Sequence, residues 1–362
     1  MKTKKILTYL LTLIVLSSCG SFEDDKKSLM SGTEEKKDLV DAFDVSKDQA
    51  EKYTPIEPKT ETKPVVETKK GKGKKSSKTE DKKAEKVSVK PEKEVKAAIA
   101  KGDDYPADYP QMFKDYDAVS KPVWEKFKPV FYKGEQSIIA ISYLGVTAGY
   151  ITMTSKDIVK MGDKMAYHYF ARFKSRDAYR YFYWLDDTIE TFIEQNTFLP
   201  IKYSLIQREK KQNVDDLQLF DFKKHKVMTW YKRVKPGANK DEHLEKYIPR
   251  YVQDSFAALQ FVRGLPLHKG DKYDFPVSTR GDTWLLKIEV VGEETISVNG
   301  NDIRAYRLKA ETHFPGVLQK SGDINFWYAM DEGKRLVKFQ AKVKLGSIYG
   351  ELVEYKPGVL TK

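Results

Sequence analysis

Three carboxylates crowd the stretch Trp184-Leu185-Asp186-Asp187-Thr188-Ile189-Glu190. Two acids beside aromatic rings are the equipment of glycoside hydrolysis, in which one carboxyl stays protonated while the other is ionised. A carboxylate-dependent hydrolase would therefore rest on Asp186, Asp187 and Glu190. A strand would send Asp186 and Asp187 to opposite faces, and the pair reads as a turn rather than a catalytic dyad. The five histidines, His168, His225, His243, His268 and His313, form no His-Glu-x-x-His or other close two-histidine ligand set. There is no Gly-x-Ser-x-Gly elbow and no phosphate-binding loop. No metal, no cofactor and no catalytic residue is expected. Cys19 is the single cysteine. Beyond it the chain can form no disulfide, no thiolate nucleophile and no cysteine-ligated metal site.

Aromatic side chains are the more informative chemistry. His168, Phe170, Tyr181, Tyr183, Trp184, Trp230, Trp284 and Trp327 fall in stretches that read as strands. A curved sheet closing on a helix can leave an apolar cleft with the polar tips of Tyr and Trp wet. Phe256 and Leu259, on the expected helix, would roof it. These ten residues are the candidate lining for an apolar or amphiphilic ligand. Filling of the core is their alternative use.

The elements that would position them begin near Pro106. Ser137–Tyr143, Met165–Phe173 and Tyr179–Leu185 alternate apolar and aromatic residues with period two, the signature of strands. Further strands are expected near 201–207, 217–222, 227–234, 272–277, 284–291, 303–312, 324–329, 335–343 and 347–355. Asn299-Gly300 and Gly346 supply turn chemistry between them. The stretch around Val123–Phe131 reads as a short helix or extended lead-in, limited by Pro129. Apolar residues spaced by three and four between Pro249 and Gly264 mark one amphipathic helix. The fold class is all-β and mainly antiparallel: a large curved meander sheet or open barrel with one packed helix, spanning residues 106–362.

Residues 19–105 have another character. They are rich in Lys, Glu, Asp, Ser, Thr and Pro and poor in aromatics. Such a segment cannot bury enough apolar surface to offset its conformational entropy, so it reads as a disordered tether. Its early part leans acidic. Its later part, around Lys69–Lys90, is strongly basic in a chain of net charge +12. That Lys run could hold lipopolysaccharide or peptidoglycan carboxylates, or act as a solvated spacer. A coil of this length spans roughly 50 Å on average and on the order of 280 Å when taut.

Residues 1–18 read as a signal peptide: a basic start, an apolar run from Ile6 to Leu16, and small residues before Cys19. The run is too short for a permanent membrane span. Leu16-Ser17-Ser18-Cys19 resembles the lipobox of bacterial lipoproteins. The resemblance implies that Cys19 becomes an acylated N-terminus, and several acyl chains give stable attachment where one would not. By the enterobacterial sorting pattern, Gly20 directs such a protein to the outer membrane, facing the periplasm. Export removes nucleic acid from the list of partners that the positive charge would otherwise suggest.

Three segments of the β region carry a second resemblance. The first is Gly134-Glu135, a strand, then Tyr143-Leu144-Gly145 and Ala148-Gly149. The second is Gln253-Asp254, Ala257, Arg263, Leu265-Pro266 and Gly270. The third is the closing pair with Gly346 and Leu352. Together they resemble the domain-of-unknown-function family 3108 of exported bacterial proteins. The departure is Phe256-Ala257-Ala258, where that family often has Ser before Ala. The resemblance implies an antiparallel sheet, curved around a helix in the manner of lipoprotein-carrier folds, and no particular activity. Gly145 and Gly149 are expected at positive φ in a hairpin and a bulge. Asp254 and Arg263 are expected to satisfy buried groups. Three functions stay open: a ligand-binding envelope lipoprotein, an envelope scaffold joining acidic polymer to a protein, and a hydrolase.

Overall fold

A computed structural model of the chain describes Phe43 and residues 105–181, 183–313, 321–343 and 346–361. The expected signal peptide, Cys19 and the expected tether lie outside the described residues, Phe43 and Tyr105 excepted.

In chain order the elements are α1 (Gln111–Lys126), β1 (Tyr132–Lys133), β2 (Gln136–Tyr143), β3 (Val146–Met161), β4 (Lys164–Ser175), β5 (Asp186–Glu194), β6 (Pro200–Glu209), β7 (Gln212–Asp221), β8 (Lys226–Val234), β9 (Lys240–Tyr247) and β10 (Gln253–Asp254). There follow α2 (Ala257–Arg263), β11 (Lys272–Thr279), β12 (Asp282–Val298), β13 (Asn301–His313), β14 (Ser321–Ala329), β15 (Leu336–Lys342), β16 (Ser347–Lys356) and β17 (Val359–Leu360). Fifteen of the strands form one sheet in the order β10 to β16, then β2 to β9. Its pairings are antiparallel except β10 with β11. The period-two patterning thus produces the expected meander.

The connectivity dictates the curvature. β9 and β10 are the two edges of the sheet, yet the chain passes from Tyr247 to Gln253 between them. Six residue steps reach about 20 Å at most. Fourteen flat strand spacings of about 4.8 Å would hold the edges some 67 Å apart. The sheet therefore curls back on itself without closing. The turn between β11 and β12 crosses the seam: Lys246 pairs with Asp282 at 2.7 Å, and Arg280 Nε with Asp216 at 3.2 Å.

The chain between the edges plugs the interior. Ile248, Val252, Phe256, Phe261 and Leu265 are buried there. Phe261 sits at the centre, with ring centroids 4.3 Å from both Trp124 and Phe127 and 5.1 Å from Phe275. α1 closes the same core with Phe113, Val123 and Trp124 on its buried face.

Four expectations change. Among the described residues there are two packed helices rather than one, because α1 begins as early as Gln111. The helix expected after Pro249 starts only at Ala257, since Gln253 and Asp254 first pair with Val277 and Ser278. The strand expected over 179–185 is a loop: Asp177–Tyr179 form a 3-10 turn and only Leu185 makes a bridge. Asp186 and Asp187 open β5 instead of forming a turn, opposite Lys174 and Phe173. That register places the 179–185 alternation in the β4–β5 connection, where no strand can flank it. Lys240–Tyr247 has no apolar alternation and yet forms β9, because it is an edge, and edges carry charge that blocks further pairing.

Candidate functional site

Sheet alternation sorts the aromatic residues between two surfaces. Tyr167, Tyr169 and Ala171 of β4 face the helix-filled interior, so His168, Phe170 and Arg172 face outward. Across the pair, Ile193 and Ile189 face in while Phe192 and Glu190 face out.

The inward surface holds the candidate site, a crevice beside α2. It is lined by Glu135, Ser137, Met153, Ser155, Leu259, Gln260, Arg263, Tyr328, Arg335 and Leu336. At its base Arg263 meets Glu135 as a fork, Nη1 to Oε2 at 2.7 Å and Nη2 to Oε1 at 2.9 Å. Both side chains are buried. Arg263 also donates to the Gly333 carbonyl and to Gln260 Oε1, and the Tyr355 hydroxyl donates to Glu135 Oε1. Burial works against the Arg263 charge, but Glu135 more than offsets it. Burial beside Glu135 pushes Tyr355 up to about 12. The chain positions this group from both ends. Gly134 at φ +79° turns β1 toward β2, and the seven-residue α2 presents Arg263 in its last turn. Asp254 starts that helix: its Oδ1 accepts from the amides of Phe256 and Ala257, and its Oδ2 from the Thr191 hydroxyl. Burial pushes Asp254 up to about 6 despite these bonds. The crevice itself has a volume of ≈ 20 Å³, room for about one water molecule.

The expected ligand-binding residues do not share one cleft. Phe256, Leu259 and Trp327 pack in or against the interior core, and Trp284 is buried on β12 opposite Val277. The Trp327 indole donates to Glu294. Only Leu259 reaches the crevice. His168, Phe170 and Trp230 lie on the outward surface. His168 is buried, stacked on Phe192 at 4.2 Å and hydrogen-bonded to Glu190 at 3.0 Å. Burial holds its imidazole below the usual histidine range in spite of Glu190. Lys156 sits 4.4 Å from the Phe170 ring. Tyr181, Tyr183 and Trp184 are in the β4–β5 loop, with Tyr181 83 % exposed.

The carboxylates are equally divided. Asp186 faces outward in a fork with Arg172, and Glu190 faces outward beside His168. Asp187 alone points in, where it accepts from the Arg208 amide and the Gln207 side chain. The same Gln207 Nε2 lies 3.3 Å from Glu209 Oε1. Burial raises both acids, Asp187 with help from the Glu209 charge and Glu209 to about 7. Gln207 and Glu209 were missed because they lie on another strand, 20 and more residues along the chain. Among the described residues no group of three or more His, Cys, Asp or Glu is placed to hold a metal ion. No helix among them is long and apolar enough to cross a membrane.

The family model of DUF3108, proteins of unknown function, matches residues 139–353. The chain belongs to this family. The matched stretch holds Asp254 and Arg263, while Glu135 and Tyr355 lie just outside its two ends, so the buried fork ties the borders of the DUF3108 region to its middle. No curated protein matches the chain. Among solved structures it is similar to a β-barrel-like protein of the domain-of-unknown-function family DUF1849 from Brucella abortus, at 14 % identity and TM-score 0.41, over 63 % of this chain and 99 % of that one. It is also similar to a candidate lipoprotein from Parabacteroides distasonis, at 10 % identity and TM-score 0.30, over 64 % and 99 % of the two chains. A third is a candidate exported protein with a YmcC-like fold from Bacteroides fragilis, at 13 % identity and TM-score 0.25, over 64 % and 98 %.

Proposed function

We propose that this DUF3108 protein is a cell-envelope lipoprotein, held in the outer membrane through acylated Cys19, whose folded part works as a binding scaffold through its surface. The carrying observation is the filled concavity. The seam segment, α2 and the α1 aromatics occupy the interior, and the crevice beside α2 has a volume of ≈ 20 Å³. A small-molecule pocket generally needs about 300–1,000 Å³. An apolar or amphiphilic cargo in that crevice would have to displace α2 and break the Glu135–Arg263 fork. The scaffold reading needs no such opening. It gives the Lys run acidic polymer, lipopolysaccharide or peptidoglycan, and gives the outward sheet surface a protein. A hydrolase reading finds Asp186 and Glu190 on the opposite side of the sheet from Asp187.

The test is native mass spectrometry of the mature protein from its own host in mild detergent. The scaffold reading expects the polypeptide plus its covalent acyl groups and nothing more. A lipid that stays bound until unfolding would favour the carrier. Cosedimentation with peptidoglycan sacculi, with and without residues 69–90, tests the polymer contact. Binding that ignores the deletion would count against it.

A further inference from the structure

Phe43 is the one described residue between the N-terminus and Lys101, and it does not stand free in solvent. It is half-buried and packs against two apolar clusters on the outward surface of the sheet. One holds Met161, Phe192 and Ile201. The other holds Leu219, Met228 and Trp230. These side chains alternate with interior ones: Ile193 against Phe192, Phe220 against Leu219, Val227 against Met228. They therefore belong to the wall facing away from both helices. Left bare, an apolar patch on such a wall would be a docking surface; here it is covered. All six side chains are buried, and Phe43 is common to both groups.

The sequence around Phe43 suits the role. Leu39, Val40, Ala42, Phe43 and Val45 make a small apolar island between Lys37 and Lys47, in an otherwise charged stretch. The charged spacer reading alone gives no reason for it.

We infer that the segment around Phe43 is a clasp, which docks this chain's own N-terminal stretch onto the outer wall of β3–β8 and divides the tether in two. Between Cys19 and Phe43 lie 24 residue steps, a taut reach of about 80 Å rather than about 280 Å. Between Phe43 and Tyr105 lie 62 steps. With Phe43 docked, the Lys run falls in the stretch of sequence between two points on the folded body, Phe43 and Tyr105, and not in the stretch between that body and Cys19. Closing so long a loop costs only slowly more as its length grows, so the length of the stretch between Phe43 and Tyr105 is no obstacle to the contact. The inference goes beyond the scaffold reading and can fail without it.

The test uses the full mature chain in a Cys19→Ser background, which is free of other cysteines. Phe43→Cys is combined with Leu217→Cys, a residue packed on the same cluster, and treated with a short bis-maleimide. The control partner is Tyr349→Cys, exposed on β16, six strand spacings from β7 and so about 29 Å away around the wall. An intramolecular cross-link with Leu217→Cys and none with Tyr349→Cys is expected. Equal cross-linking at both positions, or at neither, would overturn the clasp. A cross-linked dimer would overturn it in favour of a second copy as the occupant. In parallel, trypsin should cut at Lys37 and Lys47 about tenfold faster in Phe43→Asp than in the wild type, with cleavage at Lys69–Lys90 unchanged. Unchanged rates at Lys37 and Lys47 would mean that Phe43 holds nothing in place.

Discussion

The fork between Glu135 and Arg263 is a buried ion pair that ties several elements together. It joins β1, α2, the β14–β15 turn through Gly333, and β16 through Tyr355. A buried charge left without its partner costs about 3–5 kcal/mol, whereas removing both partners costs less. Glu135→Ala should therefore destabilise the domain strongly in urea titration, and Glu135→Leu with Arg263→Met should recover part of the loss. Additive losses would show that the two side chains do not act as a pair. Arg263→Lys should fail to substitute, because an ammonium cannot make the two-pronged contact. Glu209 offers a pH prediction. Burial raises it from 4.5 to about 7 in the fold. The stability tied to its proton is complete below about pH 4.5 and is lost as pH rises through about 7. Glu209→Gln does not titrate. Its melting temperature should gain on the wild type as pH rises from about 5 to about 8, and a constant difference across that range would show that Glu209 titrates normally.

At the scale of elements, the glycines of the first hairpin act by two different means. Leu144 and Gly145, at φ +50° and +79°, form the tight turn between Tyr143 and Val146. Gly149 is not at positive φ, contrary to the expectation from sequence. Its role is close approach: a Cβ there would lie 2.4 Å from the Lys174 carbonyl oxygen on the neighbouring strand. Gly145→Val should cost about 1–2 kcal/mol through the left-handed conformation alone. Gly149→Ala should already be harmful, since the obstacle is backbone that cannot swing aside. If thermal melting ranks Gly149→Ala as the milder change, the β3–β4 pairing must be able to spread. The short α2 depends on Asp254 in the same local way. Asp254→Asn keeps an acceptor for the first-turn amides, so it should lose less than Asp254→Ala, for which a lost cap costs about 1 kcal/mol.

For the whole molecule, Tyr105 is tied firmly to the folded body. Its ring stacks on Tyr109 at 4.6 Å, and its hydroxyl bonds to the buried Asp117. Limited trypsin digestion should cut between about Lys63 and Lys101 and leave a resistant body that starts just before Tyr105. Intact mass and N-terminal sequencing would read the boundary, and rapid cleavage at Lys126 or Lys128 would show that α1 is not part of it. The anchor is tested by Cys19→Ser, which should abolish metabolic labelling with an alkyne fatty acid. Undiminished label would place the acyl group elsewhere.

The antiparallel meander was legible in the sequence because a pleated strand repeats every two residues. A run such as Met165–Phe173 states its own conformation wherever its neighbours are. The family was legible too, since Gly134-Glu135, Gly145 and Asp254–Arg263 are short local patterns. The same alternation occurs in the loop at 179–185, and only the Lys174–Asp186 register decides that no partner strand is available there. β9 was invisible because an edge strand is selected for charge rather than for period. Above all, which surface each aromatic faces was beyond local pattern. His168 and Trp230 look like Tyr167 and Tyr231 in composition, yet they stand on opposite sides of the wall. The sheet could have curled either way around these strands as far as their own alternation shows. The six-step passage from β9 to β10 draws the edges together and carries Phe256 and Phe261 inside. That packing decides which apolar face becomes the core and which is left for Phe43.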